Sequence, residues 1–160
     1  MEKTLVLGLG NDLYGDDGIG LHVIRELHRR LDEDEQLSKV FASVDLLECS
    51  LTGLSLLDVI IGYDDLIIID TIKRAAPVTG RITLMTEEDV RSIPGPSPHY
   101  VSIPQTIAIG RQLNQKVPDS IKILAVESKN MFVLGEGLTD KMKETIPELV
   151  ERTIALVQQG

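Results

Sequence analysis

The chain has 160 residues, 42% of them hydrophobic, which suits one domain with one core. Its net charge of −9 argues against nucleic acid and anionic membranes as partners, and no apolar stretch reaches the roughly 18 residues of a membrane span. The lone cysteine, Cys49, excludes an internal disulfide and a multi-cysteine zinc site and fits a reducing cytoplasm.

Thr4–Leu9 is a short apolar run bounded by glycine and reads as a buried parallel strand. It begins so close to the N-terminus that no signal peptide is expected. A glycine-rich turn follows, Gly8-Leu9-Gly10-Asn11, and then Asp16-Asp17-Gly18-Ile19-Gly20. The position suits a nucleotide fold, but the charge does not. A dinucleotide loop offers backbone N–H groups and a helix N-terminus to a pyrophosphate. Here Asp12, Asp16 and Asp17 occupy the loop, and Leu13 stands where the third glycine belongs. These acids repel phosphate and suit a cation.

Gly18 to about Leu31 reads as a helix, with Ile19, Val23, Leu27 and Leu31 facing the core and His22 and His28 at the surface. Asp16 is a candidate cap for it. Asp32–Glu35 reads as an acidic turn, Val40–Glu48 as a strand and Leu51–Ile61 as a helix. Cys49, after that strand, reads as a small buried side chain before a nucleophile. Leu66-Ile67-Ile68-Ile69-Asp70 is the strongest strand signal, continuously apolar as in a strand covered on both faces, and Asp70 ends it. Asp70 could instead cap a turn or pair with Lys73 or Arg74.

Gly80–Met85 alternates like a strand, and Thr86 is the expected N-cap of a short helix with Glu87, Glu88 and Asp89 in its first turn. Ile93–Pro98, rich in proline, predicts a loop that carries on to His99. A helix from about Ser102 to Leu113 would hold Pro104 in its first turn. Ile121–Val126 is the last strand, with Glu127 behind it as a possible crevice acid or a surface residue. A long amphipathic helix starts at Leu138, and Pro147 should kink it or restart it with Thr145 and Glu148 as a capping box.

Strands and helices alternate, which predicts a single three-layer α/β/α domain over residues 1–160, its twisted sheet mostly parallel and its helices on both faces. Ligands of such sheets bind at the carboxyl ends of the strands. That rule brings Asp17 and Asp70 to one crevice, and His99 is the sole histidine outside the first helix. Two carboxylates and an imidazole can hold a divalent transition metal and leave positions open. A helix-start carboxylate can also be a plain cap, and a lone histidine can be merely solvated.

The chain resembles the endopeptidases that mature the large subunit of nickel–iron hydrogenases. The likeness rests on Gly8-Leu9-Gly10-Asn11 with Asp16-Asp17-Gly18-Ile19-Gly20, on the apolar strand ending in Asp70, on Ser97-Pro98-His99, and on Gly137-Leu138-Thr139 before the last helix. It spans nearly the whole chain. The resemblance implies that Asp17, Asp70 and His99 are the metal-binding and catalytic residues. It implies one cut near the C-terminus of a large-subunit precursor, made after nickel insertion, with nickel held by the substrate; other divalent metals can occupy such a site. Two segments depart from the family pattern. Glu48-Cys49-Ser50-Leu51-Thr52-Gly53 replaces an acid followed by two glycines and threonine, and Val126-Glu127-Ser128 lacks a proline. The first should bear on substrate choice. A cytoplasmic monomer is expected. Two other readings compete: a metal-sensing chaperone or binding module that cuts nothing, and a nucleotide-binding domain.

Overall fold

The computed structural model describes residues 2–51, 54–72, 74–86, 88–89, 98–129, 133–135 and 137–159, with the backbone alone at 98–102, 104 and 105. Thr52, Gly53, Lys73, Glu87, residues 93–97 of the proline-rich segment and the His99 side chain lie outside the described residues.

Five strands form one sheet: β1 (Thr4–Leu9), β2 (Val44–Cys49), β3 (Asp65–Ile72), β4 (Ile82–Thr86) and β5 (Ser120–Glu127). Their order is β2-β1-β3-β5-β4, parallel throughout except for β4, which runs antiparallel along β5. The expected α/β architecture is present. β3 is the central strand and is buried from Leu66 to Ile72, as its unbroken apolar run requires. It continues two residues beyond Asp70, so that carboxylate lies within the strand and not at its end.

Alternation along the strands sorts two cores. Leu66, Ile68 and Ile72 pack with Leu5, Leu7 and Ile123 against α3 (Ser55–Ile60) and α4 (Pro98–Gln112). Ile67 and Ile69 pack with Val6, Leu124 and Val126 against α1 (Ile19–Glu33) and α5 (Asp140–Gln159). Ile19, Val23 and Leu27 of α1 are fully buried, and Leu31 packs at the core edge. Each full burial of such a side chain stabilises by about 1.5–3 kcal/mol.

Several sequence expectations are corrected. Asp32–Glu35 is not a plain turn: α1 runs to Glu33, and Asp34 caps a short α2 (Glu35–Val40) by accepting from the Leu37 amide at 3.1 Å. That local cap shortens the second strand to Val44–Cys49. His99 is not in a loop. Pro98 opens α4, so His99 lies in a helical first turn, and Pro104 falls inside the helix. α5 passes through Pro147 without a restart, and the Thr145 hydroxyl donates to the Met142 carbonyl at 2.6 Å instead of capping. Thr86 and Asp89 do bond reciprocally, the Thr86 amide donating to Asp89 Oδ2 at 2.9 Å.

At the amino edge of the sheet, exposed groups pair with one another. Lys3 Nζ lies 3.5 Å from Asp45, the Tyr63 hydroxyl donates to Asp45 at 2.6 Å, and Lys116 lies 3.0 Å from Asp64. The carboxyl edge is different: Asp16, Asp17, Asp70 and Glu127 are buried there.

Candidate active site

Two glycines bring the first turn against the sheet. A Cβ on Gly10 would lie 2.0 Å from the Asp17 carbonyl oxygen, and one on Gly20 would lie 2.5 Å from that of Ile69. Only glycine allows backbone to touch backbone at these points, so a 3-10 turn, Gly15–Gly18, sits directly on the ends of β1 and β3. The turn carries Asp16 and Asp17 inward: they are 0% and 2% exposed.

The acids of this loop have separate tasks. Asp12 is paired with Arg25, whose guanidinium also meets Glu48 at 2.7 Å and so ties the loop after β1 to the end of β2. Those bonds, to Glu48 first and Asp12 second, hold the Arg25 pKa above its ordinary value. Next to them, burial and then the Arg25 charge lower the His22 pKa below its usual range. Asp16 does not cap α1. Its carboxylate accepts from the Ser128 hydroxyl at 2.5 Å, the Thr139 amide at 2.8 Å and the Thr139 hydroxyl at 3.0 Å. Thr139 precedes α5 and accepts from the Met142 amide at 3.4 Å, so Asp16 holds the residue that caps the last helix.

Asp17 is bonded on both oxygens. Its Oδ2 accepts from the Asn11 amide at 3.1 Å, and its Oδ1 accepts from the Thr71 hydroxyl at 2.6 Å. The Thr71 amide donates to Asp70 Oδ1 at 2.8 Å. Thr71 therefore joins the two carboxylates, each of which is buried, and fixes their orientation. Sequence reasoning missed Thr71; the signal was a hydroxyl residue immediately after a strand acid. Ser128 was also missed, and Thr139 was noted without a role.

Asp17 and Asp70 thus stand on two separate elements at the carboxyl edge, each bonded by Thr71. His99 is on the first turn of α4, the helix that covers the same sheet face as Asp70. Among the described residues no three of His, Cys, Asp or Glu are grouped to hold a metal. Cys49 is a free, buried thiol in the core, accepting from the Leu51 amide at 3.4 Å. Glu127 is not a surface acid: it is 1% exposed.

The loop does not suit a dinucleotide. The Asn11 amide, which could face a phosphate, is spent on the Asp17 carboxylate, and the amides of Gly10, Leu13 and Tyr14 are bonded to Cys49 and Asn11. The loops after β1, β2 and β5 carry large exposed apolar side chains. Leu13 is 63% and Leu134 68% exposed, and Leu51 and Leu54 follow β2. The loops after β1 and β5 are joined there by a bridge between Tyr14 and Leu134. No described helix is long and apolar enough to cross a membrane.

Comparison with known proteins finds similarity along nearly the whole chain. The hydrogenase 2 maturation protease of Escherichia coli is 25% identical over 162 residues, covering 99% of this chain and 92% of that protein. The hydrogenase expression/formation protein HupD of Thiocapsa roseopersicina is 24% identical, covering 98% of this chain and 68% of that protein. Among solved structures, the hydrogenase maturating endopeptidase HybD from E. coli shares the fold with a TM-score of 0.77 at 24% identity, covering 98% of this chain and 93% of that one. The [NiFe] hydrogenase maturation protease HybD from Thermococcus kodakarensis does so with a TM-score of 0.70 at 22% identity, covering 97% and 99%. The family model of the hydrogenase maturation protease HycI matches residues 21–156, and the chain belongs to that family of endopeptidases.

Proposed function

We propose that this chain removes the C-terminal extension of a nickel–iron hydrogenase large-subunit precursor after nickel has been inserted, and recognises the substrate-borne nickel through Asp17, Asp70 and His99. The observation that carries the reading is the buried pair Asp17 and Asp70, joined by Thr71 at the carboxyl edge of the sheet. Two carboxylates this deep are costly unless hydrogen-bonded or neutralised by a cation. Their oxygen donors, with an imidazole from the start of α4, suit a divalent transition metal. That metal, when bound, supplies positive charge for docking the precursor and polarising the scissile carbonyl.

The remaining work falls to the chain's own groups. Asn11 and Thr71 donate to Asp17 and orient its carboxylate. An aspartate of the pair accepts a proton from the water that attacks the carbonyl carbon. The C–N bond breaks, and the proton passes to the departing amine. The apolar rim formed by Leu13, Leu51, Leu54 and Leu134 supports a folded protein substrate over a small molecule. Short peptides spanning the cut should be poor substrates. The protein is proposed to act in the cytoplasm as a monomer.

Intact-mass spectrometry of the precursor, incubated with this protein with and without nickel loading, tests the reading. One C-terminal loss in the nickel-loaded sample alone is expected. Cleavage in both samples removes the nickel requirement. Metal-dependent binding without any loss replaces the protease with a metal-sensing chaperone.

A further inference from the structure

Glu127 is a buried carboxylate that the proposed chemistry does not use. It ends β5, where Ile72 of β3 is its parallel partner, and the antiparallel β4 begins beside Val126. The segment before β4 wraps it. The Gly80 amide donates to the Glu127 carbonyl at 2.9 Å, the Glu127 amide donates to the Arg81 carbonyl at 3.0 Å, and the Val78 amide donates to Glu127 Oε1 at 3.2 Å. The other carboxylate oxygen, Oε2, lies 4.0 Å from Nε of Arg74 and 3.7 Å from Nε of Arg81.

Charge here is out of balance. Arg25 meets Asp12 and Glu48, and Arg29 meets Glu26 and Glu33. Arg74 and Arg81 share one acid. Both approach it through Nε, the nitrogen nearest the stem. Their terminal amino groups lie farther from Glu127 and have no acceptor among the described residues. The side chain of the acid is 2% exposed, whereas those of Arg74 and Arg81 are 32% and 56% exposed. Lys129, exposed and without an ion pair among the described residues, follows two positions later. A net-acidic chain thus holds a pair of guanidinium forks at the carboxyl edge of its sheet.

We propose that Arg74 and Arg81 form a carboxylate-binding subsite for the protein substrate, an inference that rests on the function proposed above. A guanidinium fork matches a carboxylate in two parallel hydrogen bonds. A phosphate dianion is disfavoured by the nearby acids Asp17 and Asp70. By register, Asp70 pairs with Ala125, two residues before Glu127. The subsite therefore begins about 7 Å along the sheet and about 5 Å across from Asp70. Arginine reach adds to that, so the anion falls roughly two to four residues of extended chain from the cut. It is either an acidic side chain at that spacing or the C-terminal carboxylate of the tail.

The test measures binding and processing of the nickel-loaded precursor by the wild-type protein and by an Arg74→Gln/Arg81→Gln variant, with thermal melts of both. A rise in Kd and KM of about tenfold, with kcat within about twofold and a weaker dependence of Kd on salt, is expected. Lysine at both positions should restore affinity in part, because it keeps the charge and loses the fork. Unchanged Kd in a folded double variant overturns the subsite, as does a lowered melting temperature with no change in Kd. If the double variant does not fold, Arg81→Gln alone, at the more exposed position, decides by the same readout. Neutralising each precursor acid within four residues of the cut identifies a side-chain anion. Lengthening the tail by several residues identifies its terminal carboxylate. No effect from either overturns the proposal. Wild-type protein that binds precursor without cutting defeats the protease reading, while the Kd comparison still judges the subsite. Wild-type protein that does not bind defeats both.

Discussion

Asp16 and Asp17 are neighbours on one 3-10 turn and are almost equally buried, yet their surroundings differ in kind. Asp16 accepts from Ser128 and Thr139, residues far away in the chain that hold the last strand and the last helix. Asp17 accepts from the backbone of its own loop and from Thr71, which in turn bonds Asp70. One carboxylate is spent on holding elements together; the other is oriented beside a second acid. Burial alone does not separate a structural acid from a chemical one. The donors differ, and the function proposed above gives the chemistry to Asp17.

The sharpest way to break this contrast is to neutralise each acid in turn. Asp17→Asn or Asp70→Asn should reduce precursor processing by roughly 100-fold or more while the urea midpoint moves little. A variant that processes normally removes that residue from the proposed site. His99→Ala should match them in processing, and a normal rate would exclude the histidine. Asp16→Ala should do the reverse, costing about 3 kcal/mol in urea unfolding because the Thr139 amide and two hydroxyls lose a charged acceptor. Processing by the fraction that remains folded should persist. Loss of processing at full stability would place both acids in the chemistry.

Thr71→Val separates orientation from charge. It removes the hydroxyl that donates to Asp17 and should lower processing by about tenfold at a stability cost of about 1 kcal/mol, with Thr71→Ser largely restoring both. The smallest effect belongs to the opposite edge of the sheet. Burial first, and the bond to Asp45 second, push the Tyr63 pKa up to about 12 from its ordinary 10.0. A raised pKa favours the protonated folded state, so this contribution is complete below pH 10 and is lost as pH rises toward about 12. Tyr63→Phe should flatten the alkaline limb of stability without altering processing at neutral pH. If processing does change, the two edges are coupled.

These contrasts were legible in the sequence to different depths. β1 and β3 declared themselves because strands buried on both faces are written as unbroken apolar runs. The glycines and paired acids marked the crevice because close backbone approach and buried charge tolerate few residues. α2 was hidden by its shortness, since six residues carry little periodicity and the Asp34 cap resembles a turn. The start of α4 was hidden because proline reads as a breaker, although at a first helical position its missing N–H costs nothing. Asp16 was separated from Asp17 only as a candidate cap of the first helix, which is not its role. Its partners Ser128 and Thr139 lie 112 and 123 residues away, and only the tertiary structure brings them close.

That separation bears on when the protein becomes competent. The turn that presents Asp17 is fastened through its neighbour Asp16 to the residue that caps the C-terminal helix. During synthesis the first strand, the glycine turn and the central strand all emerge before Thr139 does. The turn can rest on the sheet early, but its anchor arrives only with Thr139. The chain must therefore have emerged through Thr139 before the crevice is fastened, and a shorter nascent chain still on the ribosome would lack that clasp.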